Sequence, residues 1–290
     1  MYLSIHPYFD SSKLALKYSQ TEIVDSFSKI KHPIFKALLE EYNVNGVEIT
    51  STADVPSGTG LGSSSSFTVG LINTLCAYTG KYVSRGFLAK EACKIEISKL
   101  GAPIGKQDQY AAAFGGLNMI WFKPNGETIV EPILYKQKIK EELEENLVMF
   151  YTGDIRNANS ILAEQNINMD EGRKYQNLIE MCKLALEMRH SIEKGSLDLF
   201  GDILDKNWKL KKELASGISN SRIDDYYEIA KHNGALGGKL LGAGGGGFLL
   251  FYCEKKNQRR LKNALGLREF PFEFDNTGSS VIFVGEKYWN

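Results

Sequence analysis

The segment Pro56-Ser57-Gly58-Thr59-Gly60-Leu61-Gly62-Ser63-Ser64-Ser65-Ser66 limits what this chain can fold into more than any other stretch. An alternating strand pattern, Gly46 to Ser51, runs into it, and an apolar, small-residue helix pattern, Phe67 to Leu75, runs out of it. Glycines at 58, 60 and 62 leave no Cβ in the way, so the backbone can approach an oligophosphate with its N–H groups turned inward. The amides and dipole at the start of the following helix add partial positive charge where phosphates would sit. The four serines offer hydroxyls to phosphate oxygens and to magnesium. No Gly-Lys-Ser/Thr closes the loop, and the spacing of its glycines is not that of a dinucleotide fingerprint. A flexible linker rarely sits between a clean strand and an apolar helix.

Around this loop the pattern is mixed. Tyr2 to Tyr8 alternates as a strand, with Leu14 to Tyr18 as its expected hairpin partner across Asp10-Ser11-Ser12. Helical spacing covers Pro33 to Tyr42 and Phe87 to Leu100, the latter stopped by Gly101 and Pro103. Strands are expected at Leu117 to Phe122, Thr128 to Leu134 and Leu147 to Tyr151. The charged run Lys136 to Glu145 reads as a solvated helix or a linker, which sets a boundary between domains 1–140 and 141–290. Helical patterns then occupy 157–194, 197–215 and 222–232. A second glycine cluster, Gly242 to Gly247, lies between strands at Lys239 to Leu241 and Phe248 to Tyr252. The fold class is therefore α+β in two halves, each with one glycine-rich turn.

Composition removes several function classes. Lys+Arg and Asp+Glu both total 35, so no overall field draws the chain to nucleic acid or an anionic membrane. The four cysteines, Cys76, Cys93, Cys182 and Cys253, form no CxxC pair and read as buried reduced thiols. No apolar run is long enough to span a bilayer, and the N-terminus lacks signal-peptide order, so a cytoplasmic protein is expected. The small-molecule ligand is then the expected partner, and a homodimer stays open.

Pro56 to Ser64 carries the pattern Pro-x-x-x-Gly-Leu-Gly-Ser-Ser in full, and Lys239-Leu-Leu-Gly-Ala-Gly-Gly-Gly-Gly-Phe248 is a second glycine-rich motif downstream. On these residues the chain resembles the GHMP kinase superfamily. The resemblance implies an ATP-dependent small-molecule kinase. Its N-terminal domain would be like ribosomal protein S5 domain 2 and its C-terminal domain ferredoxin-like. ATP would contact Pro56, Gly58, Gly60, Leu61, Gly62, Ser63, Ser64 and Ser65.

Phosphoryl transfer needs positioning, a magnesium ion and often a proton acceptor. The stretch Glu91 to Gln109 is similar to the galactokinase-type order of a helical Glu, a short Gly-containing turn and Asp-Gln, followed by a Gly pair, here Gly115-Gly116. That similarity implies that Glu96 and Ser64 bind Mg2+, with Glu91 as the fallback ligand. It makes Asp108 the base or electrostatic orienter at the substrate hydroxyl. Taken alone, Glu96 could equally be a solvated helix position. Lys106 reads as a surface lysine, and His6, His32, His190 and His232 match no triad or metal spacing.

Ile104 to Asn118, Phe150 to Ala158 and Gly242 to Phe248 together look most like family members that phosphorylate a sugar at its anomeric hydroxyl. They imply a sugar phosphate, heptose 7-phosphate, in polysaccharide biosynthesis, with Gly242, Gly244 and Gly245 at the substrate. Arg156 could clamp the substrate's phosphate bidentately or form an ion pair with Asp154. Other readings are a galactokinase- or fucokinase-like enzyme, a mevalonate-pathway enzyme, and a binding protein without turnover. Nothing in Met1 to Ile30 matches the family's first motif. The chain is expected to begin a strand or two into the fold, binding nucleotide but turning over sugar poorly.

Overall fold

A computed structural model describes residues 1–153, 158–168 and 172–285 of the 290. The chain forms two compact units. One comprises 1–56, 62–116 and 275–290, the other 57–61 and 117–274. The division thus falls at Gly116/Leu117 instead of near 140. The chain also crosses between units at both ends of 57–61 and again after Phe274.

In the first unit, β1 (Tyr2–Pro7), β2 (Leu14–Lys17), β3 (Thr21–Val24) and β4 (Val47–Thr52) form a sheet of order β1-β4-β2-β3. The hairpin expected between β1 and β2 does not form. Instead β1 lies antiparallel to β4, pairing Ile5 with Ile49, while β2 runs parallel to β4 and antiparallel to β3. Burial explains the difference. Leu14, Ala15 and Leu16 are all buried, so β2 belongs inside the sheet, whereas β1 is largely exposed and suits an edge. Parallel pairing of β2 with β4 needs a crossover, and α1 (Pro33–Tyr42) supplies it. Pro33 opens α1 at a position that needs no N–H. The His32 ring accepts from Phe35 N, and Asn43 ends the helix in the left-handed region at φ 49°.

Helices α2 (Ser63–Tyr78), α3 (Arg85–Cys93) and α4 (Gln107–Phe114) complete the unit. Helix α3 runs on into a π-helical turn over Lys94–Lys99, which was expected as a plain continuation. Residues 275–285 return here, with Gly116 N donating to Asp275 O at 2.6 Å and Asn73 Nδ2 to Ser279 Oγ at 3.0 Å.

The second unit starts with the hairpin β5 (Asn118–Phe122) and β6 (Thr128–Pro132). The charged run is a helix, α5 (Gln137–Asn146), that buries Ile139 and Leu143. Then come β7 (Leu147–Tyr151), α6 (Ala158–Asn168), α7 (Gly172–Lys194), α8 (Phe200–Lys212), α9 (Ser221–His232), β8 (Gly237–Leu240), β9 (Phe248–Tyr252), α10 (Lys255–Leu265) and the short β10 (Arg268–Glu269). The sheet order β10-β7-β9-β8 is antiparallel throughout, the arrangement of a ferredoxin-like unit. Helix α8 lies so close to β8 that a Cβ on Gly237 would fall 1.9 Å from Gly201 O. Trp208, Phe150 and Phe251 centre the core. Cys76, Cys93 and Cys253 are buried free thiols, but Cys182 is exposed. No described helix is long and apolar enough to cross a membrane.

Candidate active site

In the first unit the site grows from the start of α2. Gly62 caps this helix in the left-handed region at φ 65°, and Ser66 N makes the first intrahelical bond, to Gly62 O at 2.8 Å. The amides of Ser63, Ser64 and Ser65 precede that bond and have no helical acceptor. Ser65 is buried, so its hydroxyl is not presented outward, while Ser64 is exposed.

Ser64 Oγ donates to Glu96 Oε1 at 2.5 Å, and Gln109 Nε2 donates to Glu96 Oε2 at 2.8 Å. The π-helical turn accounts for a glutamate pointing inward. Its wide ring, closed by Leu100 N to Ile95 O at 3.0 Å, turns both Ile95 and Glu96 into the interior, leaving Glu96 3% exposed. Gln109 follows Asp108 in the first turns of α4 and is fully buried, with Oε1 accepting no hydrogen bond among the described residues. The half-buried Asp108 faces the loop. A Cβ built on Gly62 would sit 3.6 Å from Asp108 Cγ and Oδ2. Ser64, Glu96, Asp108 and Gln109, from three stretches of the sequence, thus gather where α2 begins.

The donor set suits magnesium, since a hard dication takes oxygen ligands and keeps several waters. No group of three or more His, Cys, Asp or Glu able to hold a metal occurs among the described residues. Phosphate oxygens would have to complete the coordination. Glu91 lies elsewhere, ion-paired with Lys94 at 2.8 Å in a network that includes Glu41. That removes it as a fallback ligand. Lys106 is exposed at the start of α4. Ala111 and Ala112, one turn beyond Asp108 on the same helix, line a cavity of about 610 Å³ with Ser66, Asn73 and Gly116.

In the second unit the glycine turns meet backbone to backbone. Gly58 and Gly60 take φ 78° and 83°. A Cβ on Gly60 would lie 2.6 Å from Leu241 O, one on Gly242 2.5 Å from Gly60 Cα, and one on Gly247 2.2 Å from Thr59 O. Gly247 is pinned further by Thr152, whose Oγ1 accepts from Gly247 N at 3.1 Å and donates to Gly247 O at 3.0 Å. Gly245, expected at the substrate, donates its N–H to Ile218 O at 3.0 Å. Gly242 and Gly244 likewise pack on backbone, the latter against Ile218. Arg156 and Asp154 lie outside the described residues.

Sequence reasoning missed the π-helical turn, the grip of Gln109 on Glu96 and the contact between glycine turns. Only the Asp-Gln pair itself signalled any of these.

Residues 28–116 match the GHMP kinases N terminal domain and 188–271 match the GHMP kinases C terminal domain. D-glycero-alpha-D-manno-heptose 7-phosphate kinase of Campylobacter jejuni is 34% identical over 213 residues, 73% of this chain and 63% of that protein. A putative sugar kinase structure from Campylobacter jejuni superposes with TM-score 0.75 at 27% identity, over 95% of this chain and 84% of the other. A D-glycero-D-manno-heptose 1-phosphate kinase structure from Bacteroides thetaiotaomicron gives TM-score 0.75 at 24% identity with the same coverage and supports the fold. The chain spans less than two thirds of the curated relatives that it matches most strongly. With both family domains matched in order, and the loop and the ferredoxin-like sheet in place, the chain belongs to the GHMP kinase family.

Proposed function

We propose that the chain transfers the γ-phosphoryl group of ATP to the anomeric hydroxyl of D-glycero-D-manno-heptose 7-phosphate, giving the 1,7-bisphosphate in the cytoplasm. The observation that carries this reading is the contact of Ser64 Oγ with the buried Glu96 carboxylate where α2 begins, with Asp108 beside Gly62. The free amides at the start of α2 would hold phosphate oxygens. Ser64 and Glu96 would hold magnesium, which neutralises charge developing on the transferred group. Asp108 would accept the hydroxyl proton as the new P–O bond forms and the bond to the β-phosphate oxygen breaks, releasing ADP. Arg156 would clamp the 7-phosphate.

The similarity to heptose 7-phosphate kinase supports the sugar phosphate as acceptor. ADP release measured with heptose 7-phosphate, free galactose, fucose and mevalonate tests this, with the product's phosphate position read by NMR. Turnover of heptose 7-phosphate at the anomeric oxygen is expected. Preference for mevalonate overturns the sugar reading, preference for free galactose or fucose removes the role of Arg156, and nucleotide binding without turnover of any acceptor leaves a binding protein.

A further inference from the structure

Lys94 and Lys99 open and close the π-helical turn of the first unit. In an α-helix, at 3.6 residues per turn, side chains so spaced would point about 140° apart. A π-helical ring closes from i to i+5 and brings such a pair round toward one face. Both ammonium groups meet a single carboxylate there. Lys94 Nζ donates to Glu41 Oε1 at 2.5 Å, and Lys99 Nζ donates to Glu41 Oε2 at 3.1 Å. Lys99 Nζ also donates to Ala37 O at 3.0 Å, one turn before Glu41 on α1. Hydrogen bonding from Lys94 brings the Glu41 pKa down to about 2, against burial and with help from Lys99. The carboxylate is therefore charged throughout the neutral range.

The end of α1 that carries Glu41 is tied to α2 as well, because Cys76 Sγ donates to Tyr42 Oη at 3.7 Å. Helix α2 carries Ser64 in its first turn, and the π-helical turn carries Glu96. Glu41 and Tyr42 thus touch both elements that bring Ser64 and Glu96 together, without touching that pair. Single exposed ion pairs contribute little. One carboxylate bridging two lysines at π-helical spacing nevertheless favours that ring over the α-helical alternative. The same wide ring turns Glu96 inward, so whatever selects the ring also aims the carboxylate.

We infer that Glu41 is a positioning residue, clamping the π-helical turn through Lys94 and Lys99 and so aiming Glu96 at the proposed magnesium site. The inference rests on the proposed role of Glu96. Its test uses the full chain, wild type and with Glu41→Ala, Glu41→Gln or Glu91→Ala. Two quantities are measured: exchange of the Leu100 amide, which closes the ring on Ile95 O, and the magnesium concentration needed for tight ATP binding. Glu41→Ala should raise both by about fivefold, within the range that one or two exposed ion pairs supply, with the urea midpoint nearly unchanged. Glu41→Gln keeps one acceptor and should fall between Glu41→Ala and wild type. Glu91 pairs with Lys94 alone of the two lysines, so Glu91→Ala should stay within about twofold of wild type. An unmoved Leu100 amide or magnesium requirement in Glu41→Ala overturns the inference while leaving Glu96 at the metal. Exchange quickened equally across α1 and α2, or an equal effect of Glu91→Ala, overturns it too. Wild-type ATP binding that ignores magnesium overturns the role of Glu96 itself, and the inference with it. Should Glu41→Ala not fold, the same two readouts in Glu41→Gln decide.

Discussion

At Gly62 a methyl group would find ordinary contact, 3.6 Å from Asp108, and only the φ of 65° speaks for glycine. At Gly247 it would strike Thr59 O at 2.2 Å with φ at 108°. The two glycine-rich turns look alike as sequence and meet different demands. The first ends in a helix start ringed by Ser64, Glu96 and Asp108, side chains suited to chemistry. The second is packed backbone on backbone against residues 59–60 and Ile218, and shapes the loop without offering side chains. Changes around the first should therefore alter rate with little change in stability. Changes in the second should alter both.

The largest effect tests the first half of that statement. Asp108→Asn should lower turnover by about 10²–10⁴-fold, the loss of a positioned base, with ATP affinity and the denaturation midpoint nearly unchanged. Full activity in a folded Asp108→Asn protein would remove the role. Next comes Gly247→Ala, which should destabilise the fold by about 3 kcal/mol, since neither the clash nor the backbone angle can relax cheaply. Gly62→Ala should cost only about 1 kcal/mol, from its left-handed backbone. Equal losses in urea titrations of the two variants would break the comparison.

Glu96→Gln is the next test. It should raise the magnesium concentration needed for half-maximal rate by about tenfold or more, the scale on which metal sites respond to losing a supporting group. Nucleotide affinity measured without magnesium should hold. An unchanged magnesium requirement would place the metal elsewhere.

The smallest effect concerns the first unit alone. Burial among Tyr18, Phe35 and Phe67 lowers the His32 pKa, opposed by the Glu22 carboxylate, and its Nδ1 already accepts from Phe35 N. The unfolded chain therefore takes up the proton first as pH falls below about 6.5, and stability should decline from pH 7 to 5. Glu22 adds little to the slope in that window, where its stabilisation is present throughout. Burial raises its pKa, but Lys31 N, Tyr18 Oη and His32 N outweigh this and lower it overall, so its share is lost only as pH falls below about 4.5. His32→Asn keeps a capping acceptor and should flatten the decline in hydrogen-exchange protection of α1. A slope unchanged by the substitution would exclude His32 as its source.

Local signals in the chain carried much of this structure. Pro33–Tyr42, Leu147–Tyr151 and Phe248–Tyr252 occupy the residues that their periodicities marked, because side-chain period and punctuation by Pro, Asn and Gly act over a few residues. Gly58, Gly60 and Gly62 needed positive φ for the same local reason. Only the tertiary structure decided that β1 pairs with β4, since edge and interior strands differ in what covers them and not in their alternation. It alone turned Glu96 inward, because a π-helical turn depends on what packs beneath it, and it alone set Gln109 against that carboxylate. The seating of Gly247 on Thr59 joins residues far apart in the chain, and no local rule records a contact whose partner is another stretch of backbone.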